Sequence, residues 1–180
     1  MWGDHSIDPS APLQFVINAA SGSSDADTKR ESIEAALQAE DRRGELHFCK
    51  PPELARVAQQ TALRALSAQT AVVAVGGDGT LNTVAQAAHA AGCVMGVVPQ
   101  GTFNYFARTH GIPIDSTEAV SQLLRSTPVP AQVAGINDRL FLVNASLGLY
   151  PDLLEDREAY KARFGRSRWG AFMAACATLL

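Results

Sequence analysis

The sequence predicts an α/β protein: an open, mostly parallel sheet with helices on both faces, followed by the beginning of a β-rich domain. Three observations carry this expectation. From Leu13 onward, short apolar runs rich in β-branched residues alternate with longer stretches of helical period, the pattern of consecutive βαβ units. Two of the runs, Ala71–Val75 (AVVAV) and Val94–Val98 (VMGVV), hold no polar side chain, as central strands covered on both faces require. Both lead into glycine-containing loops, Gly76-Gly77 and Pro99-Gln100-Gly101, and in open parallel sheets ligands sit beyond the carboxyl ends of the strands.

Taken in order, Met1–Pro12 carries Asp4, His5 and Asp8 where a signal peptide needs apolar residues, and reads as a flexible tail. Leu13–Asn18 opens the first strand, and Ala19–Ser24 turns into a helix over Asp27–Glu40. Glu45–Cys49 is the second strand. Pro51 and Pro52 suit a helix start, and the helix ends near Ser67. A third helix is expected from Thr80 to Ala90 with Gly92 as its stop, and a fourth over Ser116–Arg125. Beyond it the pattern changes. Val129–Ala134 and Arg139–Leu149, split by the turn Gly135-Ile136-Asn137-Asp138, read as strands with no helix between them. The division expected is therefore a nucleotide-binding domain over 13–128 and an incomplete second domain over 129–180, ending inside a helix.

Composition excludes several classes of function. The chain has 180 residues, 47% hydrophobic and 18% charged, with a formal net charge of −3 and a pI near 5.8. That balance lacks the basic excess needed to hold a phosphate backbone, so nucleic acid is not an expected partner. Cys49, Cys93 and Cys176 lie far apart, with neither metal-site spacing nor an even count, which fits a reducing compartment and a cytoplasmic protein. No run is long and apolar enough to span a bilayer, so any membrane contact is expected to be peripheral. Lys161, Arg163, Arg166 and Arg168, interleaved with Phe164 and Trp169, could meet anionic headgroups, but a solvated helix face is the simpler reading. The four histidines show no ligand spacing.

Gly76-Gly77-Asp78-Gly79-Thr80 joins a buried strand to a helix, where glycines permit close backbone approach and free helix amides favour an anion. It departs from the dinucleotide fingerprint, because Asn82 stands where the third glycine belongs. An aspartate beside phosphates is repulsive unless a divalent cation or a transferable proton intervenes, so Asp78 points to Mg²⁺-assisted phosphoryl chemistry. The plainer alternative is a glycine-rich turn with Asp78 as its cap.

Gly76-Gly77-Asp78-Gly79-Thr80-Leu81-Asn82, with Pro99-Gln100-Gly101-Thr102-Phe103-Asn104-Tyr105-Phe106-Ala107-Arg108 following, resembles the diacylglycerol kinase catalytic domain family, which includes bacterial lipid kinases and sphingosine kinases. Asn18-Ala19-Ala20-Ser21-Gly22 and Val143-Asn144-Ala145-Ser146-Leu147-Gly148 extend the likeness to nearly all of the chain after Leu13. The resemblance implies ATP and Mg²⁺ as cofactors and a lipid hydroxyl at a membrane surface as acceptor of the γ-phosphoryl group. It implies nucleotide contacts from Asn18, Ser21, Gly76, Gly77, Gly79, Thr80, Gly101, Thr102 and Asn104, with Asp78 as the catalytic acid or base and, through water, a holder of Mg²⁺. Asn18, Gly101, Thr102 and Asn104 each also have a structural reading, as turn or helix-start residues. Thr83 and Tyr105 stand where many members carry Glu and Asp, and Ala19 replaces a proline. A non-catalytic nucleotide- or lipid-binding module and an NAD kinase-like enzyme are the alternatives. With the second domain incomplete, the chain alone is expected to be inactive and to self-associate through apolar residues of 171–180.

Overall fold

The computed structural model describes residues 7–22 and 26–145; those up to Val143 belong to one compact unit, and a second unit begins at Asn144. The expected strand residues Ser146–Leu149, the basic stretch Lys161–Arg168 and the apolar stretch Trp169–Leu180 lie outside the described residues. Four parallel strands, β1 (Leu13–Asn18), β2 (Gly44–Cys49), β3 (Ala71–Gly76) and β4 (Val94–Pro99), form a sheet in the order β2-β1-β3-β4. They are linked by α1 (Ala26–Ala39), α2 (Leu54–Ser67) and α3 (Asp78–Ala91); α4 (Tyr105–Thr109) and α5 (Ser116–Arg125) follow the last strand.

Alternation along the strands divides the core in two. Val16, Val72, Ala74 and Val97 face α2 and α3, meeting Ala58, Ala62, Leu81 and Val84. Phe15, Ile17, Val73, Val75 and Val98 face the other way, onto Ile33 and Leu37 of α1 and Ala119 and Val120 of α5. Each fully buried Val, Ile or Phe contributes roughly 1.5–3 kcal/mol, so this three-layer packing dominates the stability. The layering follows from handedness. The chain steps one way from β1 to β2 and the opposite way from β2 to β3 to β4, and right-handed crossovers then put α1 on one face and α2 and α3 on the other. The reversal leaves a crevice beyond the carboxyl ends of β1 and β3.

The expected helix stops and starts are realised locally. Pro51–Glu53 forms one 3-10 turn ahead of α2, and Gly92, at φ 75°, closes α3 by donating to the carbonyls of Ala88 and His89. Asp115 caps α5, its Oδ1 accepting from Glu118 N at 3.0 Å. Arg125 at the end of α5 donates to Glu40 just past α1, with Nε to Oε1 at 2.9 Å.

Four expectations are corrected. The tail expected over residues 1–12 is tied down in its second half, where Asp8 N donates to Gln69 O at 2.8 Å and Arg43 donates to Ser10 O at 2.7 Å. Helix α3 starts at Asp78 rather than Thr80, because Gly77 alone makes the turn and an acid in the first turn suits the helix dipole. The strand expected over Val129–Ala134 does not form: Pro128 and Pro130 withhold ladder donors, and 126–133 is irregular. Instead β5 (Ala134–Ile136) pairs antiparallel with β6 (Arg139–Phe141), which ends well short of Leu149. The turn between them is Asn137-Asp138, with Asn137 at φ 53°, a backbone conformation that asparagine tolerates.

The hairpin is joined to α3 by two side-chain amides one helical turn apart. Asn82 Oδ1 accepts from Leu142 N at 3.1 Å while its Nδ2 donates to Leu140 O at 3.4 Å. Gln86 Oε1 accepts from Leu140 N at 2.9 Å, and its Nε2 donates to Asp138 O at 3.4 Å. The two amides supply to β6 the donors and acceptors that a further strand would have supplied.

Candidate functional site

Three turns meet at the crevice. At the end of β3, Gly76 is packed so closely that a Cβ would lie 2.6 Å from Thr80 Cβ and Oγ1. Gly77 is extended and precedes α3 with no side-chain cap, so the amides of the first turn, at Asp78, Gly79 and Thr80, have no intrahelical acceptor. From β4, Gln100 N donates to Gly76 O at 2.8 Å. That bond brings Gly101 against Gly77: a Cβ on Gly101 would stand 2.5 Å from Gly77 Cα. Two backbones touch where neither residue has a side chain.

Asn104 fixes this contact from behind. It is 2% exposed and left-handed, at φ 52°, and its side chain brackets Gly101, accepting from the N–H at 2.7 Å and donating to the carbonyl at 2.9 Å. The structure thus gives Asn104 a loop-holding geometry. Helix α4 begins at the next residue, and its first two amides point to Asp78: Tyr105 N reaches Oδ2 and Phe106 N reaches Oδ1, each at 3.2 Å. The expected catalytic carboxylate therefore opens α3 and also caps α4, binding the two turns together.

The β1 turn completes the arrangement. Asn18 Nδ2 donates to the buried Thr80 Oγ1 at 3.0 Å, and its Oδ1 accepts from Ala20 N at 3.0 Å. Ser21 Oγ donates back to Asn18 O at 2.8 Å. Gly22 adopts φ 69°, and a Cβ there would sit 2.9 Å from Gln100 O, so this turn lies against the β4 turn. Beneath it lies Lys29, 1% exposed, whose ammonium donates to the carbonyls of Asn18, Ala19 and Ser21.

The structure thus gathers Asn18, Ser21, Gly76, Gly77, Asp78, Thr80, Gly101 and Asn104 into one cluster. Gly79 lies on its open side, where a Cβ would meet nothing within 4 Å, and Thr102 is exposed on the neighbouring turn. Sequence reasoning missed Lys29, although a signal existed: Lys29, Ile33, Ala36 and Leu37 form the single buried stripe of α1, so a lysine stood at a core position. It also missed α4 and the docking role of Asn82.

Among the described residues no group of three or more His, Cys, Asp or Glu could hold a metal ion. Asp78 alone fits the habit of Mg²⁺, which keeps most of its waters and takes one or two carboxylates together with substrate phosphates. Each carboxylate oxygen accepts one amide here and has a second lone pair to offer. Among the described residues, no helix is long and apolar enough to cross a membrane.

Comparison with known proteins identifies the family. A protein described as a probable lipid kinase, YegS-like, from Klebsiella pneumoniae is 38% identical over 98 residues, covering 52% of this chain and 33% of that protein. A protein of the same description from Pseudomonas putida is 39% identical over 94 residues, 51% of this chain and 32% of its own length. The matched segment thus spans about a third of each relative. A crystal structure of a diacylglycerol kinase from Bacillus anthracis superposes with a TM-score of 0.64 at 24% identity, over 73% of this chain and 46% of that one, which shows the shared fold. Residues 12–136 match the diacylglycerol kinase catalytic domain family, and the chain belongs to that family.

Proposed function

We propose that this chain is the nucleotide-binding part of an ATP-dependent lipid kinase, which transfers the γ-phosphoryl group of ATP to a lipid hydroxyl. One observation carries the reading: the backbone contact of Gly77 with Gly101 beside the uncapped first turn of α3, at the point where the strand order reverses. Such a crevice offers amides to phosphate oxygens with no side chain in the way. In this reading the amides of Asp78, Gly79 and Thr80 receive phosphates. Asn18 and Ser21 hold the β1 turn beside them, Thr102 borders the opposite side, and Gly101 and Asn104 keep the two turns in register. Asp78 accepts the proton of the lipid hydroxyl as the new P–O bond forms and the bond from the γ-phosphorus to the bridging oxygen breaks, releasing ADP. Asp78 would be the residue to hold a Mg²⁺ ion that arrives with the nucleotide, and the ion would supply neutralisation of phosphate charge. Residues 129–180 lead into the second, lipid-binding domain, and the β5–β6 hairpin at their start stays docked on α3 within the first compact unit.

Calorimetry with MgATP tests the reading. Gly77→Val puts a side chain where the structure leaves 3.1 Å between a Cβ and Gly101 Cα, and ATP affinity should fall at least about tenfold, or 1.4 kcal/mol. Unchanged affinity in a folded variant would remove this crevice as the nucleotide site. A second reading, nucleotide binding without transfer, is favoured by the two α4 amides that already occupy Asp78. A radiolabel transfer assay on a version extended to the length of the relatives separates the two.

A further inference from the structure

Lys29 stands where two physical preferences argue against a lysine. It lies in the first turn of α1, where the dipole favours an acid such as Asp27 and opposes a cation. It is also 1% exposed, in the buried stripe with Ile33, Ala36 and Leu37, where a charged group loses its hydration. A methionine would serve both the helix and the core better. The reason for the lysine is visible in its partners. Its Nζ donates to the carbonyls of Asn18 at 3.2 Å, Ala19 at 3.3 Å and Ser21 at 2.5 Å, so one ammonium grips three carbonyls of a single turn.

Gripping a carbonyl fixes the amide on the other side of the same peptide. In a trans peptide unit the C=O of one residue and the N–H of the next point in opposite directions, and no peptide bond described here is cis. The Asn18 and Ala19 carbonyls therefore turn the Ala19 and Ala20 amides away from the ammonium, where Cys49 O and Asn18 Oδ1 accept them, each at 3.0 Å. The Ser21 carbonyl does the same for the Gly22 amide, and among the described residues nothing accepts that one. Gly22 is left-handed, at φ 69°, and lies against Gln100 O of the β4 turn. The fold thus leaves one amide without an acceptor on the side of the β1 turn that faces away from Lys29, next to the crevice, and a backbone amide set in this way suits an anion.

We infer that Lys29 is a positioning residue of the nucleotide site: it holds the β1 turn so that the Gly22 amide faces the crevice and donates to a phosphate oxygen of the bound triphosphate. The inference rests on the reading of the crevice as a nucleotide site, and adds to it a residue that acts on the ligand only through the turn it grips.

The test is a titration of the 180-residue chain with MgATP, followed by calorimetry and by the NMR signal of the Gly22 amide. In the parent that signal should shift as MgATP is added. Lys29→Met should lower ATP affinity at least about tenfold and shrink the Gly22 shift, because the Ser21–Gly22 peptide is no longer pinned. Ile33→Val trims the same buried stripe of α1 without touching the turn, and should keep ATP affinity within about twofold of the parent. If Lys29→Met does not fold, Lys29→Gln, neutral and with two donors on a shorter stem, replaces it, and affinity should fall at least about fivefold. The inference is overturned if the Gly22 amide does not respond to MgATP, if a folded Lys29 variant binds ATP within about twofold of the parent, or if Ile33→Val loses as much affinity as the lysine variants. With a parent that binds ATP, these results refute the role of Lys29 and leave the crevice as the nucleotide site. A parent that binds no ATP refutes the nucleotide reading, and the inference with it.

Discussion

Gly101→Ala is the smallest change that tests how the crevice is built. Its methyl carbon would stand 2.5 Å from Gly77 Cα and 2.8 Å from Asn104 Oδ1, whereas non-bonded carbons in contact sit about 3.5–4.0 Å apart. Neither neighbour is the loose end of a flexible side chain. One is backbone, and the other is a buried amide held by two hydrogen bonds to Gly101 itself. Relief therefore requires the β4 turn to move off the β3 turn by about 1 Å, or Asn104 to let go. Losing the two hydrogen bonds costs about 1 kcal/mol each, and a stranded buried amide adds about 1–3 kcal/mol if it finds no other partner. We expect unfolding free energy to fall by about 2–4 kcal/mol, read as a lower urea midpoint at constant m-value, with ATP affinity reduced at least about tenfold. Gly79→Ala is the matched control. It lies in α3 with open space around it, and replacing helical glycine should add up to about 1 kcal/mol. If Gly101→Ala proves no more harmful than Gly79→Ala, the contact between the two turns does not constrain the crevice.

Other outcomes follow from particular bonds. Asp78→Asn replaces one of two acceptors facing α4 with a donor, and should cost about 1 kcal/mol of stability; in an extended, active version it should cut transfer about a hundredfold or more with ATP affinity near parental. Transfer within a few-fold of the parent would leave Asp78 as a helix cap alone. Lys29→Met removes the ammonium under the β1 turn, so amide exchange at Ala20 and Ser21 should accelerate and ATP affinity should drop; unchanged exchange would show that the turn holds itself. Burial, with Arg64 adding to it and Glu45 opposing, lowers the His47 pKa below its ordinary 6.5. The unfolded chain then binds the proton more tightly than the folded one, so this contribution is complete above about pH 6.5 and is lost as pH falls below it. His47→Gln should flatten that part of the stability profile measured by urea denaturation.

Legibility in the sequence tracked how local the cause was. AVVAV and VMGVV announced β3 and β4 because burial on both faces leaves no room for polar residues, and Gly92 and Pro51 marked helix ends through their own backbone preferences. Helix α4 was not legible. Five residues carry no period, and its cap comes from Asp78, 27 positions upstream. The β5–β6 strands were misplaced because apolar valines outweighed the missing donors of Pro128 and Pro130. At the site, the motifs named the right neighbourhood but not the division of labour. Asn82 and Asn104 read alike as motif asparagines, yet one holds a hairpin 58 residues away and the other a glycine three residues away.

The crevice is closed by two contacts of very different reach along the chain. Gly77 meets Gly101 within one strand–helix–strand passage of 24 residues (101 − 77), while Asn18 meets Thr80 across 62. For a flexible chain the longer closure costs about 0.8 kcal/mol more in entropy, since that cost grows as three-halves RT times the logarithm of length. The two glycine turns are thus the cheaper pair to bring together. A chain still folding would meet that contact first by this measure, and the arrival of β1 beside Thr80 would complete a cradle whose floor is already laid.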